Sequence, residues 1–211
     1  MRSKSIIVNA LTFSRAPLIF VWLVLAIVQE YRGGFWCGAL ACLAMLFSGL
    51  TDLWDGKLAR RWGVVSSLGK MADPLMDKVF YIVVFPTLIW LIAHRGESEA
   101  HGAVMLGFTI LYLLRDTWVT FMRAVGSMYK ADCAAMWLGK VRTALSFPGA
   151  GWIYVYVAFH DKVPSAWVAP WLVSCYVVEA ILIILTLVSL WTYTVAYSPY
   201  LKKALDSRGE I

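Results

Sequence analysis

Residues 52–77 of the chain read DLWDGKLARRWGVVSSLGKMADPLMD, with four aspartates inside an otherwise apolar sequence. Asp52 and Asp55 are three positions apart, and Asp73 and Asp77 are four apart, so each pair lies on one face of a helix. Like charges at these spacings repel, and near a membrane they are costly unless something neutralises them. Carboxylate oxygens are hard ligands that suit Mg²⁺, Mn²⁺ or Ca²⁺, so the pattern predicts a divalent-cation site.

Small residues lie between and beside the aspartates. Gly56, Ala59 and Gly69 let a backbone or a ligand approach closely. Arg60 adds a planar cationic group that suits phosphate. Carboxylates, small residues and an arginine at these spacings together indicate a metal-held phosphate ester.

The composition indicates a membrane protein. The chain has 211 residues, 61% of them hydrophobic, with a mean hydropathy of +0.70. This is too apolar for a soluble domain of the same size and is typical of a polytopic helical membrane protein. The formal charge of +6 is not accompanied by a nucleic-acid-binding motif. The basic residues are therefore interpreted as parts of loops that lie near anionic membrane lipids.

The apolar runs predict an all-α fold with six transmembrane helices in one domain over residues 1–211. A short interfacial helix is expected over residues 1–14, a six-helix bundle over 15–200 and a cytoplasmic tail over 201–211. The six spans are expected at about 15–29, 35–50, 73–93, 104–123, 135–159 and 168–197, with the second extended past the membrane surface into the aspartate motif.

The basic residues predict the orientation. Six spans place sixteen of the nineteen Lys and Arg residues on the side of both termini, while Arg32, Arg95 and Lys162 lie on the other side. The positive-inside rule makes the first side cytoplasmic. We therefore expect an inner-membrane protein with both termini and the aspartate motif in the cytoplasm.

The aspartate motif also carries a family resemblance. Asp52-x-x-Asp55-Gly56-x-x-Ala59-Arg60, eight residues, then Gly69-x-x-x-Asp73-x-x-x-Asp77 resembles the complete signature of the CDP-alcohol phosphotransferase family. The resemblance implies that the four aspartates hold two divalent cations, Mg²⁺ or Mn²⁺, and that Asp77 is the general base for the acceptor hydroxyl. The alternative that Asp77 is only a metal ligand, and not a base, stays open.

The resemblance extends to the donor site. It implies that Gly56, Ala59, Arg60 and Gly69 form a cradle for the cytidine diphosphate, although small residues also serve helix packing in membranes. Asn9, Thr12 and Arg15 are similar to the opening common in the family and share one helical face. We interpret them as lining the donor site near the pyrophosphate, with Arg15 as a snorkelling anchor the alternative.

A second basic cluster is expected to bind the acceptor phosphate. Arg115 and Arg123 are eight residues apart on the fourth helix, and Gly139-Lys140-Val141-Arg142-Thr143 follows. An arginine within a membrane helix needs a counter-ion such as Asp116 or a bound anion. The cluster resembles the phosphatidylglycerophosphate synthase branch, in which a Gly-Lys-Val-Lys-Thr element occurs. Arg142 replaces the second lysine here, and the connection from Arg123 to Gly139 is shorter than in typical members.

These observations predict a phosphatidyltransferase. The resemblance implies CDP-diacylglycerol as donor, sn-glycerol 3-phosphate as acceptor, and phosphatidylglycerophosphate and CMP as products. Inositol phosphate, serine or inositol are alternative acceptors within the family, and a cation transporter is the alternative outside it. The sequence leaves the oligomeric state open, with a homodimer as one option.

The other reactive side chains are interpreted as structural. The cysteines, Cys37, Cys42, Cys133 and Cys175, form no C-x-x-C pair and are expected to be free thiols. Glu179 in the last apolar run is interpreted as a helix–helix hydrogen-bonding group. None of the three histidines has the spacing of a metal ligand.

Overall fold

The computed structural model describes residues 2–64, 66–95, 98–131 and 137–206. These residues form helices and turns without a strand, which confirms the predicted all-α fold. The predicted loop position Glu97, the thiol of Cys133 and residues 207–211 lie outside the described part. In chain order the elements are α1 (Arg2–Arg32), α2 (Phe35–Trp62), α3 (Ser67–Arg95), α4 (Glu99–Met128), α5 (Trp137–Phe159), a 3₁₀ turn (His160–Lys162) and α6 (Ser165–Asp206).

Five of the described helices are long and apolar enough to cross a membrane, namely α1, α2, α3, α4 and α6. The sixth, α5, has 23 residues and begins with a segment that contains Lys140 and Arg142. The helix number therefore matches the six expected, and α5 is the one that length and composition do not select.

Several helix bounds differ from the predicted ones, at α1, α3 and α6 most of all. Residues 2–32 form a single helix, so the expected break between residues 14 and 15 does not occur; no glycine interrupts this stretch, and extending a helix is far easier than starting a new one. α3 begins at Ser67, six residues before the expected start, which places Pro74 in its third turn. α6 continues to Asp206, so the first part of the predicted tail is helical.

The turn between α2 and α3 brings the two halves of the aspartate motif to one place. Gly63 has a φ of 63°, in the left-handed region that favours glycine, and ends α2. Its N–H donates to the carbonyl of Arg60, and the N–H of Val64 donates to that of Ala59, which together form a Schellman motif. Ser66 then caps α3, because its Oγ accepts the N–H of Gly69 at 2.9 Å.

The helices form two compact units, of which the first comprises Met1–Gly102 and Ala150–Leu172. α1 packs against α2 and α3. Trp22, fully buried on α1, meets Tyr154 edge to face with ring centroids 5.2 Å apart. Near the C-terminal end of α1, the amide of Gln29 donates to the carbonyl of Ala158 at 2.9 Å, a packing that depends on the small Gly38 beside it.

The second unit comprises Ala103–Gly149 and Val173–Ile211. Its core includes Val119, Met122, Tyr193 and Tyr197. A Cβ atom on Gly126 would lie 2.6 Å from the Tyr197 ring, so this glycine is what lets the ring approach α4. Glu179, interpreted from the sequence as a helix–helix hydrogen-bonding group, is fully buried on α6.

Candidate active site

The four aspartates lie at the end of α2 and the start of α3. One carboxylate oxygen from each of Asp52, Asp55 and Asp73 lies within 4.8 Å of the other two. Asp55 is buried, while Asp52 and Asp73 are exposed. The capped turn thus brings three of the four predicted aspartates into one acidic cluster, with one inner and two outer carboxylates.

The side chain of Arg15, from α1, contacts all four carboxylates. Its Nη1 lies 2.6 Å from Oδ1 of Asp52 and 3.3 Å from Oδ1 of Asp77. Its Nη2 lies 2.7 Å from Oδ2 of Asp55 and also donates to Oδ1 of Asp73. The arginine side chain is only 4% exposed, whereas the side chains of Asp52 and Asp73 are 47% and 55% exposed, so the site is partly buried.

The two residues that precede Arg15 on the same helical face also reach the motif. The hydroxyl of Thr12 donates to Oδ2 of Asp55 at 2.7 Å. Asn9 accepts a hydrogen bond from Oγ of Ser66 at 2.9 Å, and the same Oγ caps Gly69. The structure therefore brings the predicted N-x-x-T-x-x-R residues together with the aspartates and with the start of α3.

The donor set fits divalent cations. Four ionised carboxylates carry four negative charges, and the Arg15 guanidinium offsets one of them. Close carboxylates repel each other, and oxygen is the ligand atom that Mg²⁺ and Mn²⁺ prefer. The remaining negative charge and the closeness of the three oxygens make Asp52, Asp55 and Asp73 suitable for holding such an ion.

The two glycines of the predicted cradle have different surroundings. The atoms nearest to a Cβ atom on Gly56 would be those of the Arg60 guanidinium, from 3.6 Å outward, which is an ordinary contact. A Cβ atom on Gly69 would lie 3.1 Å from Oγ of Ser66 and 3.4 Å from Oδ1 of Asn9. Gly69 is therefore constrained by protein packing, whereas the space beside Gly56 would accept a methyl group. Ala59 is half-buried and Arg60 is exposed.

In the second unit, Arg115 and Arg142 meet at one carboxylate. Arg115 Nη1 lies 3.8 Å and Arg142 Nη2 lies 3.7 Å from the same Oδ1 of Asp116. Arg115 also donates to Oγ of Ser189. Both arginines are buried, at 5% and 2% exposure, so one carboxylate faces two buried positive charges.

Each of the two arginines lies against an aromatic ring and keeps hydrogen-bond donors that are not used. The Arg142 guanidinium carbon lies 3.9 Å from the centre of the Tyr112 ring, and that of Arg115 lies 5.1 Å from the centre of the Tyr193 ring. Within the part of the chain that the structure describes, Arg142 Nε and Nη1 and Arg115 Nε are buried without a hydrogen-bond partner. Buried donors of this kind are costly unless an anion or water accepts from them.

The other two members of the predicted basic cluster are placed differently. Lys140 is exposed, two positions before the buried Arg142 on α5, and residues two apart on a helix point to nearly opposite sides. Arg123 is half-buried, two turns after Arg115 on α4. The structure thus brings together Arg115 and Arg142 of the four predicted residues.

Comparison with known proteins identifies the family. Residues 5–163 match the family model described as CDP-alcohol phosphatidyltransferase. The chain belongs to the CDP-alcohol phosphatidyltransferase family. It is therefore a transferase with several membrane-spanning helices, and the alternative of a cation transporter is set aside.

The chain is similar to curated relatives whose names state two different activities. The chain is 30% identical over 172 residues to a cardiolipin synthase (CMP-forming) of Streptomyces coelicolor, with 75% of this chain and 74% of the relative covered. It is 32% identical to a CDP-diacylglycerol–glycerol-3-phosphate 3-phosphatidyltransferase of Pectobacterium atrosepticum, over 63% of this chain and 68% of the relative. A protein of the same name from Salmonella choleraesuis is 27% identical over 60% of this chain and 66% of the relative.

The structure adds site residues that the sequence interpretation did not include. Ser66 joins Asn9 to Gly69, and its position three residues before Gly69 is a helix-capping signal that could have predicted it. Tyr112, Tyr193 and Ser189 surround the two buried arginines. Nothing in the sequence pattern distinguishes these three from other polar and aromatic residues of apolar helices.

Proposed function

We propose that this protein transfers the phosphatidyl group from CDP-diacylglycerol to sn-glycerol 3-phosphate, giving phosphatidylglycerophosphate and CMP. The observation that carries the proposal is the acidic cluster of Asp52, Asp55 and Asp73 within the family signature. Relatives whose names state this glycerol-3-phosphate reaction support the choice of acceptor.

On the donor side, Asp52, Asp55, Asp73 and Asp77 would hold two divalent cations, Mg²⁺ or Mn²⁺. Such ions, when bound, neutralise the pyrophosphate and the departing CMP. Gly56 and Ala59 would leave space for the cytidine diphosphate, and Arg60 would contact its phosphate. Asn9 and Gly69 would bind the donor next to the capped start of α3, because they share contacts there with Ser66.

The transfer forms one bond and breaks one. The 1-hydroxyl oxygen of glycerol 3-phosphate attacks the phosphorus that carries diacylglycerol, and the bond from that phosphorus to the oxygen of CMP breaks. Asp77 is proposed to accept the hydroxyl proton, as the resemblance to the family implies. CMP leaves with the electron pair of the broken bond.

On the acceptor side, the buried arginines are proposed to bind the phosphate of glycerol 3-phosphate. Arg115 and Arg142 share one carboxylate, so the group has an excess positive charge, and Arg142 has two unused donors on one guanidinium. A phosphate dianion accepts several charge-assisted hydrogen bonds and suits the planar arginine group. Arg123 and Lys140 are proposed to attract the acceptor through their positive charge.

The reaction also sets the expected orientation and surroundings. The positive-inside distribution of basic residues places the site on the cytoplasmic side. This side suits substrates that both carry phosphate, one of them as part of a nucleotide. We propose that both termini and the aspartates face the cytoplasm in the inner membrane. Membrane lipids surround the apolar helices, and a homodimer is the proposed assembly.

A second candidate is cardiolipin formation, which the name of the Streptomyces coelicolor relative favours. The acceptor would then be phosphatidylglycerol, a phosphodiester with a single negative charge. The two candidates differ in the charge that the arginine pair must match. A phosphomonoester dianion suits the two buried guanidiniums better, and this is why glycerol 3-phosphate is preferred.

The decisive experiment measures CMP release by the purified protein with CDP-diacylglycerol and a panel of acceptors. The panel consists of glycerol 3-phosphate, phosphatidylglycerol, inositol phosphate, serine and inositol, each with Mg²⁺ or Mn²⁺, and product lipids are identified by mass spectrometry. We expect CMP release with glycerol 3-phosphate. Release with phosphatidylglycerol alone would favour the second candidate, and release with none of the five would contradict both.

A further inference from the structure

The guanidinium of Arg15 contacts every carboxylate that is proposed to hold metal. The contacts to Asp52, Asp55 and Asp77 are 2.6, 2.7 and 3.3 Å, and a fourth joins Asp73. A snorkelling anchor would extend its charge towards the headgroups. Arg15 instead ends at the centre of the acidic cluster, with 4% of its side chain exposed.

The contact atoms of Arg15 are the atoms that a metal would need. Oδ1 of Asp52 and Oδ2 of Asp55 each accept from a guanidinium nitrogen at under 3 Å. A divalent cation ligated by the same oxygens at about 2.1 Å would lie within about 5 Å of that nitrogen. Two positive groups so close, in a partly buried site, repel strongly. The guanidinium and the cations therefore compete for one set of carboxylates.

We infer that Arg15 is an internal counter-ion, which holds the four aspartates together in the metal-free protein and is displaced from them when divalent cations bind. This inference rests on the proposed metal site and adds a role for Arg15 before the substrates arrive. In the metal-free state, Arg15 limits the repulsion among four carboxylates. On displacement, a buried arginine beside the donor site becomes available to an anionic group, so metal binding and donor binding are coupled through this one side chain.

The test measures Mn²⁺ affinity without either substrate, by electron paramagnetic resonance of free Mn²⁺, in wild type, Arg15→Gln and Thr12→Val. Removing one positive charge at about 5 Å strengthens the binding of a divalent ion by at least about tenfold, even at the dielectric constant of water. We therefore expect Arg15→Gln to bind Mn²⁺ at least about tenfold more tightly than wild type. Thr12→Val is the matched control, because it removes a neutral hydrogen bond to Asp55 and leaves the charge unchanged.

Thermal unfolding supplies the second readout. Metal-free Arg15→Gln should unfold at a lower temperature than wild type, and Mn²⁺ should raise its unfolding temperature by more than it raises that of wild type. If Arg15 only orients the aspartates as ligands, Arg15→Gln will bind Mn²⁺ less tightly than wild type. Equal or weaker Mn²⁺ binding by the folded variant overturns the inference.

A measurement on wild type decides the matter if Arg15→Gln does not fold. Phenylglyoxal modification, followed by mass spectrometry, should be slow at Arg15 without metal and faster with Mn²⁺, while the exposed Arg61 reacts equally in both states. Unchanged or slower modification of Arg15 with Mn²⁺ overturns the displacement. Failure of wild type to bind Mn²⁺ at all would instead overturn the proposed metal site, and the inference with it.

Discussion

At the scale of single residues, the four aspartates are expected to be needed individually. Asp→Asn at position 52, 55, 73 or 77 keeps the side-chain shape and removes one charge, which leaves too few charges for two cations. We expect CMP release to fall to below about 1% of wild type in each variant. Asp161→Asn, which changes an exposed acid of the 3₁₀ turn, is the control and should retain normal activity. Substantial activity of a well-expressed Asp73→Asn variant would contradict the shared-ligand arrangement.

Substitution by alanine should have different effects at Gly56 and at Gly69. Gly56→Ala has room in the fold and gains helix propensity, so its stability should hold or rise by about 0.5–1 kcal/mol. Its KM for CDP-diacylglycerol should nevertheless rise on the order of tenfold if the nucleotide uses this space. Gly69→Ala should lower stability, because its Cβ lies 3.1 Å from the capping oxygen of Ser66. Unfolding temperatures and KM values for CDP-diacylglycerol check the predictions for both variants. A normal KM for CDP-diacylglycerol in Gly56→Ala would refute the proposed cytidine diphosphate cradle.

The arginine pair gives a prediction about the acceptor. Arg142→Gln should raise the KM for glycerol 3-phosphate by roughly tenfold to a hundredfold, since a charge-assisted phosphate contact contributes about 1.5–3 kcal/mol. The KM for CDP-diacylglycerol should change little. Lys140→Gln, an exposed residue on the same helix, should have a much smaller effect. If both variants raise the KM values for donor and acceptor equally, these residues anchor the helix and do not bind the acceptor phosphate.

The sequence predicted the acidic cluster well and the basic cluster in part, for a physical reason. The aspartate spacings are local, because each pair lies within about one helical turn and a short capped turn joins the pairs. The basic cluster depends on which faces of three helices are buried. Sequence spacing placed Lys140 and Arg142 together, although residues two apart on a helix diverge. Partners from α6, such as Ser189 and Tyr193, depend on tertiary packing that a single sequence does not contain.

At the scale of elements, the cap of α3 connects stability to the site. Ser66→Ala removes both the cap of Gly69 and the bond to Asn9, and should lower the free energy of unfolding by about 1 kcal/mol. CMP release should fall as well, since the first turns of α3 carry Asp73 and Asp77.

The chain contains a matched control for the cap of α3. Ser98 caps α4 in the same way, accepting the N–H of His101 at 3.2 Å. Ser98→Ala should therefore lower stability by a similar amount and leave CMP release unchanged. Equal loss of activity in Ser66→Ala and Ser98→Ala would show that stability alone, and not the position of the aspartates, limits the enzyme.

The helix bounds show where local signals suffice and where they do not. Gly33 and Gly34, both with positive φ, separate α1 from α2 as the sequence predicted. The predicted start of α3, at about residue 73, is six residues too late, because Pro74 favours the first turn of a helix. Ser66 supplies the stronger start signal, so the helix accommodates the proline in its third turn and loses one backbone hydrogen bond there.

At the scale of the whole molecule, the number of membrane crossings decides on which side the chain ends. Six crossings place the C-terminal Lys202 and Lys203 on the side of the N-terminus, and five would place them on the other. The number depends on α5, which length and composition do not select as a membrane span. Residues 143–159 within it contain no charged residue, and this segment is about 25 Å long, close to the thickness of a bilayer core. The charges of Lys140 and Arg142 at its start suit a cytoplasmic end.

This topology predicts opposite labelling of two exposed lysine positions. In a bacterial inner membrane, Lys162→Cys should react with a membrane-impermeant maleimide in intact spheroplasts, because it lies in an outer loop. Lys203→Cys should react only after the membrane is opened, since the proposed topology places the C-terminal end of α6 in the cytoplasm. The wild-type chain gives the background from its native cysteines. Labelling of Lys203→Cys in intact spheroplasts would mean that α5 does not cross the membrane, and the four aspartates would then no longer share a side with the C-terminus.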